Sequence, residues 1–207
     1  EAHEAFSRAF RQMFKMSPTQ YRAANQPLNG SPVRVHYRPD GRIQKFNPWK
    51  KETLSMKAEI IEFQPAKVAF VRHVGPYDQC GKAWEKLCSW AGPKGYFQPG
   101  VRFIGLCYDD PDVTPPDKIR YDACITVDEK CKPDGPIGIQ TIAGGLYART
   151  THEGSYKKLS QTYAALCGRW IPQNGYEIRS LPGFEVYLND PNSTPEDELL
   201  TDVHVPV

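Results

Sequence analysis

His73-Val74-Gly75-Pro76-Tyr77 returns as His152-Glu153-Gly154-Ser155-Tyr156, and this spacing of 79 residues decides how the rest of the chain is read. Leu87-Cys88 meets Leu166-Cys167 at the same offset. After a slip of one residue, Gly95-Tyr96 meets Gly175-Tyr176 and Tyr108-Asp109-Asp110-Pro111 meets Leu188-Asn189-Asp190-Pro191. Thr114-Pro115-Pro116-Asp117 then meets Thr194-Pro195-Glu196-Asp197, and Asp122 meets Asp202. Ordered matches broken by a single slip are the mark of an internal repeat.

Each copy reads as strand, helix, strand, turn, strand. Lys67 to Val74 is a β-branched and aromatic run stopped by Gly75-Pro76, with proline suited to a first helical turn. Cys80, Ala83, Trp84, Leu87, Cys88 and Ala91 then recur at helical spacing, as do Tyr156, Leu159, Tyr163, Leu166, Cys167 and Trp170 in the second copy. Gly92-Pro93 and Asn174-Gly175 end these helices. Two strands follow each of them, Phe103 to Asp109 with Arg120 to Val127, and Phe184 to Asn189 with Leu200 to Val207, joined by Asp-Pro-rich turns. The expected fold is α+β, a tandem pseudo-twofold duplication of a β-α-β-β module with a cleft along the join. Repeat one covers about 57–130 and repeat two about 137–207.

Composition bounds the function. With 207 residues, 40% hydrophobic and 24% charged, the chain is long enough to bury a substantial core. It has no run of roughly 18 to 20 apolar residues and its first residues, Glu1 to Phe14, are charged and amphipathic, so no membrane span or signal peptide is expected and the expected location is the cytoplasm. Cys80, Cys88, Cys107, Cys124, Cys131 and Cys167 are scattered without a Cys-x-x-Cys pair, which signals neither zinc nor a disulfide framework. His204 falls on Cys124 across the repeat, too small a set for a metal. No phosphate-cradling glycine loop or nucleophile elbow occurs, and no cofactor is expected. The net charge of +2 is uneven: residues 1–56 hold ten Lys/Arg against four Asp/Glu, and the remainder holds sixteen against twenty. A basic arm on an acidic body suits a polyanion on one side and a neutral or cationic ligand on the other.

The stretch Phe184-Glu185-Val186-Tyr187-Leu188-Asn189-Asp190-Pro191, with Thr194-Pro195-Glu196 and a closing Val205-Pro206-Val207, resembles the C-terminal signature of the GyrI-like, SOUL-related effector-binding fold found in drug-responsive regulators. The likeness runs over 57–207. It implies that Glu185 sits in a pocket between the modules and meets the positive charge of a lipophilic small molecule among aromatic rings. Phe6-Ser7-Arg8-Ala9-Phe10-Arg11, Phe14, Ser17-Pro18 and Tyr21-Arg22 resemble the end of an AraC/XylS helix-turn-helix domain, with Lys15 where that family usually has glycine. The helical stripe Ala2, Phe6, Ala9, Phe10 and Met13 and the Ser17-Pro18 N-cap agree with it. The resemblance implies a remnant at 1–27, a basic linker at 28–56 and the effector domain at 57–207. Arg8, Arg11 and Arg22 would face DNA. The chain opens inside the second recognition helix, so the expectation is a fragment that reads no operator alone, its full-length form meeting DNA and RNA polymerase.

Strand alternation separates Phe184, Val186 and Leu188 from Glu185, Tyr187 and Asn189, and the second set is expected to line the cleft while the first packs under helices. At the 80-residue offset Glu185 falls on Gly105 and Tyr187 on Cys107, so the volume that Gly105 and Cys107 spare is expected to serve the ligand. A carboxylate in an apolar surround is driven toward its protonated form unless a cation compensates. Tyr77, Trp90, Phe97, Tyr108, Tyr147 and Tyr187 are the candidate rings for cation–π contacts. His73 and His152, each just before a glycine and a helix, are expected to hold strand-end carbonyls. Three functions compete. One is a ligand sensor in a regulator. The second is a hydrolase of strained electrophiles with Glu185 as general base and Tyr187 as proton donor. The third is a protein-binding module like the gyrase inhibitors.

Overall fold

The computed structural model describes residues 35–37, 43–45 and 56–207, and the chain divides into compact units at 1–54 and 55–207. In the first unit β1 (Val35–Tyr37) pairs antiparallel with β2 (Ile43–Lys45). The expected helix-turn-helix remnant, with Arg8, Arg11 and Arg22, lies outside the described residues. No described helix is long and apolar enough to cross a membrane.

The second unit is α+β, a single eight-stranded antiparallel sheet with helices. Its first half runs β3 (Ala58–Phe63), β4 (Ala66–Val74), α1 (Gly81–Ala91), β5 (Phe103–Cys107) and β6 (Arg120–Thr126). The second runs β7 (Gly138–Ile142), β8 (Gly145–Glu153), α2 (Leu159–Ala165), β9 (Gly183–Tyr187) and β10 (Leu200–Pro206). Each half thus opens with a strand that the expected β-α-β-β pattern lacks. In β3 the doublet Ile60-Ile61 breaks alternation, and in β7 a glycine leads Ile139-Gln140-Thr141-Ile142, with two polar residues between two isoleucines, so neither carries a clear period of two.

Those two strands shape the sheet. The order is β3-β8-β10-β9-β5-β6-β4-β7, so β3 joins the second half and β7 the first. Only Gln64 and Pro65 connect β3 to β4, and only Ala143 and Gly144 connect β7 to β8. Three peptide steps reach at most about 11 Å, whereas the strands so joined stand six spacings apart in the order, roughly 28 Å on a flat sheet. The sheet must curl until its ends meet. The two crossovers do touch: a Cβ on Gly144 would come within 2.7 Å of the Pro65 ring.

Curling gives the sheet an inner and an outer face, and both are buried. Inside, Phe63, Val68, Ile104, Leu106, Tyr147, Phe184 and Val186 pack on one another, with Phe184 4.7 Å from Phe63 and stacked on His204 at 4.4 Å. Outside, α1 lays Ala83, Leu87 and Ala91 on Val71, Tyr121, Ala123 and Ile125, while Leu159, Leu166 and Ile171 cover Ala148, Val203 and Val205. The helices therefore cover the face opposite Phe184 and Val186, the reverse of the expected arrangement. Double burial erases the polar side of each strand, which is why β9 alternates in direction without alternating in exposure.

Helix α2 does not end where its α-geometry does. It widens into a π-turn over Leu166–Trp170 and closes with a helical turn, Ile171–Gln173. Pro172 supplies the reason, since it has no N–H to give to Gly168 and its ring crowds that carbonyl. His73 and His152 hold backbone carbonyls three residues on, Pro76 at 3.0 Å and Ser155 at 3.1 Å, which cap the helical turns after the strands rather than ending the strands as expected.

Burial lowers the pKa of His204 to about 4. Folding thus favours the neutral ring, and its stabilising effect is complete above the ordinary value of 6.5 and drains as pH falls toward 4. We expect the parent to lose about 2–3 kcal/mol from this residue between pH 7 and pH 4.5. His204→Phe, which keeps the stack on Phe184, should show a correspondingly flatter pH dependence in urea unfolding.

Candidate functional site

The two halves of the sheet meet at β5 and β9, where Gly105 faces Glu185, Phe103 faces Tyr187 and Cys107 faces Gly183. Glu185 points to the outer face and is only 6% exposed. Among the described residues no lysine, arginine or histidine forms an ion pair with it. Its partners are neutral donors. Tyr187 donates to Oε2 at 2.7 Å, and the Cys107 thiol donates to Oε1 at 3.6 Å.

The donors have a direction. Trp84 on α1 gives its indole N–H to the Tyr121 hydroxyl at 3.0 Å, and an indole nitrogen cannot accept. Tyr187 spends its one proton on Glu185, so in the 2.9 Å bond between the two hydroxyls Tyr121 is the donor and Tyr187 the acceptor. Rings from both halves close over the chain: Trp84 and Tyr156 stand edge-on to Tyr187 at 5.6 and 5.4 Å. Tyr163, from α2, brings a buried hydroxyl beside Cys107 and Glu185, where it has no hydrogen-bond partner.

Electrostatics follow from this sealing. Burial raises the Glu185 pKa, and the bonds from Tyr187 and Cys107, with the Tyr163 hydroxyl close by but outside hydrogen-bond geometry, only partly offset it. Burial likewise pushes the Cys107 thiol and the Tyr121, Tyr163 and Tyr187 hydroxyls well above their usual values, with Glu185 adding to each. Cys80, nearby, is pushed up to about 11 for the same two reasons. All of these groups stay neutral donors around one carboxyl that burial drives toward its protonated form. Among the described residues no group of three or more His, Cys, Asp or Glu could hold a metal ion.

Of the residues singled out from the sequence, Glu185, Tyr187, Cys107 and Gly105 come together. Tyr77 lies at the edge of the group, 5.9 Å from the Tyr121 ring, with its hydroxyl on the Asp109 carbonyl. The others have partners elsewhere. Trp90 stacks on Tyr96 and donates to Asp134, and half-exposed Phe97 rests against Phe103. Tyr147 lies on the inner face, donating to the Ala143 carbonyl. Tyr108, packed against that same core, donates to Asp122, itself paired with Arg72 at 2.8 Å. The volume spared by Gly105 is also taken: a Cβ there would lie 2.5 Å from the Tyr121 hydroxyl and 2.6 Å from that of Tyr187. Sequence reasoning missed Trp84, Tyr121, Tyr156 and Tyr163 as site residues. Trp84, Tyr156 and Tyr163 stood in plain sight on the apolar helix stripes, and the polar ends of their rings were the available signal.

Two shallow hollows flank the start of α2. One of about 440 Å³ is lined by Met56, Lys57, Thr150, His152 and Thr162, and another of about 570 Å³ by Glu153, Ser155, Lys157, Lys158 and Glu196. His152 faces Thr201, and Thr201 faces Tyr187, so the first hollow is two strand spacings from the site, about 10 Å.

Gly105→Ala should cost about 1–3 kcal/mol in chemical unfolding, by forcing the two hydroxyls apart. Because folding favours the protonated form of Glu185, that residue weakens the fold as pH rises above the ordinary carboxylate range. Glu185→Gln should therefore raise Tm by several degrees at pH 8, and the gain should vanish below pH 4.5, the ordinary glutamate value.

With this geometry in view, the comparisons with known proteins agree. "Probable transcriptional regulator YgiV" of Escherichia coli K12 is 29% identical over 157 residues, covering 74% of this chain and 98% of that protein. A "DNA gyrase inhibitor" of Yersinia enterocolitica is 32% identical over 140 residues, covering 65% of this chain and 88% of its own length. Both carry names of regulator or inhibitor rather than enzyme. Among solved structures, EcmrR in its complex with DNA in EcmrR-RPo superposes with a TM-score of 0.60 at 22% identity, over 76% of this chain and 59% of that one. The profile of the GyrI-like small molecule binding domain matches residues 56–207, and the chain belongs to that family.

Proposed function

We propose that the chain is the sensor region of an AraC-type transcription regulator and that its effector is a small lipophilic cation whose charge is met by Glu185. The observation that carries this reading is a buried carboxylate with no counter-cation among the described residues, held only by neutral donors. Such a group is costly to keep charged, and a bound cation removes the cost. Surrounding rings add roughly 0.5–2 kcal/mol each through cation–π attraction. The lining set is Glu185, Tyr187, Cys107, Tyr77, Trp84, Tyr121, Tyr156 and Tyr163.

In this reading the domain is a pseudo-twofold duplication, supported by the repeated order of elements and by the pairing of Gly105 with Glu185, equivalent positions in the repeat. The effector domain spans 57–207, the linker 28–56 and the DNA-binding remnant 1–27. DNA and RNA polymerase are partners of the longer regulator, a proposal encouraged by the sequence likeness at the N-terminus and by the EcmrR complex with DNA. Such a sensor works in the cytoplasm. Access to the sealed carboxylate runs from the hollow at His152 and Thr162, past Thr201, as the start of α2 moves aside.

Calorimetry with protonated 3,3-diphenylpropyl-dimethylamine and its neutral carbon isostere tests the reading. The parent should bind the cation and not the isostere. Glu185→Gln should weaken the cation by tenfold or more, equivalent to about 1.4 kcal/mol. Equal binding by parent and variant would sink the proposal. Turnover of a strained electrophile, abolished by the same change, would instead assign hydrolysis with Glu185 as general base.

A further inference from the structure

Two hydroxyls on the helix-covered face have no hydrogen-bond partner, Tyr163 from α2 and Thr201 from β10. A buried hydroxyl without a partner is disfavoured, and native proteins keep few of them. Both of these flank the same carboxylate. The Tyr163 oxygen lies 3.9 Å from where a Cβ on Gly183 would stand, two residues from Glu185, and shares its surroundings with Cys107. Thr201, fully buried, faces Tyr187 across β9 and β10, and its neighbour two residues on, Val203, faces Glu185. The diagonal from Thr201 to Glu185 is then roughly 7–8 Å between strand positions, within reach of one small ligand.

The carboxylate has room for more donors as well. An ionised carboxylate offers about four lone-pair positions, and Tyr187 and Cys107 occupy one on each oxygen. The chain from Trp84 to Tyr187 has no donor to spare, since each hydroxyl in it already gives its one proton onward. What is uncommitted is one side of Glu185 and the two orphan hydroxyls. A quaternary ammonium or phosphonium ion satisfies the charge and leaves all of these unpaired. An ammonium ion with two N–H groups can give one to Glu185 and one to a hydroxyl oxygen.

We infer that the site selects protonated amines carrying N–H groups over quaternary cations of the same shape and charge, and that Tyr163 and Thr201 are the specificity-determining residues. This rests on the reading of Glu185 as the charge partner. It goes further by naming the chemical class, because charge and ring stacking alone do not distinguish the two kinds of cation. Charge-assisted hydrogen bonds supply the discrimination.

The test uses the full chain and three probes on one skeleton, the secondary amine, tertiary amine and trimethylammonium forms of 3,3-diphenylpropylamine, titrated calorimetrically at neutral pH. Affinity should fall in that order, with secondary and quaternary probes about tenfold or more apart. Tyr163→Phe and Thr201→Val each remove an orphan hydroxyl at nearly constant shape, so both should fold at least as stably as the parent. Each should shrink the secondary-to-quaternary ratio, the loss falling mainly on the secondary amine. A quaternary probe that binds as tightly as the secondary amine overturns the inference, as does a ratio untouched by both variants. If Glu185→Gln weakens all three probes while they bind equally to the parent, the amine preference alone fails. If that variant binds all three like the parent, or the parent binds none, the carboxylate reading falls and the preference with it.

Discussion

Two residues, Gln64 and Pro65, carry the chain from one end of an eight-stranded sheet to the other, and Ala143 with Gly144 do the same in the second half. Reach is the governing constraint: so short a connection between strands six places apart exists only if the sheet rolls up. Rolling gives Phe63 access to Phe184 and His204, buries an inner core without any helix, and leaves the outer face to α1 and α2. It also brings both helices over the joint of β5 and β9, so that a side chain at that joint is shut away from water on every side. Glu185 is placed there.

The energetic tension of the domain is concentrated at that one side chain. A carboxylate belongs in water or beside a cation, and here it has tyrosine hydroxyls and a thiol. Those donors soften the penalty without removing it, so the fold carries a site that is less stable than its own neutral isostere would be. Proteins tolerate such departures where a partner is to be received. The glycine opposite matters equally: any side chain at position 105 would drive Tyr121 and Tyr187 apart, and the donor chain to the carboxylate would break.

Much of this was legible in the residues. The α+β class, the strands at Phe103, Arg120, Phe184 and Leu200, the α1 stripe and the meeting of Glu185 with Tyr187, Cys107 and Gly105 all follow from spacing and from the resemblance that spacing invited. What escaped did so for physical reasons. Ile60-Ile61 and Gly138 hide the period of β3 and β7, and without those strands nothing reveals the roll of the sheet. Missing the roll, one expects an open face and a vacant space beside Gly105; instead both faces are interior and tyrosines fill the gap. Trp90, Phe97, Tyr108 and Tyr147 have rings of the same chemistry as those around Glu185 and sit away from it, a distinction that composition cannot make.

The one-way run of protons from Trp84 through Tyr121 and Tyr187 has a practical side. Whatever engages the carboxylate changes how firmly Tyr187 gives up its hydrogen, and that change propagates through two oxygens to the indole. Indole emission responds to the strength of its N–H bond and to nearby charge, so the protein contains an optical reporter wired to its own most sensitive atom. The wire also crosses the midline of the sheet, ending on the helix of one half and beginning on a strand of the other. β9 and α1 are thereby joined through side chains alone, by way of Tyr121 on β6.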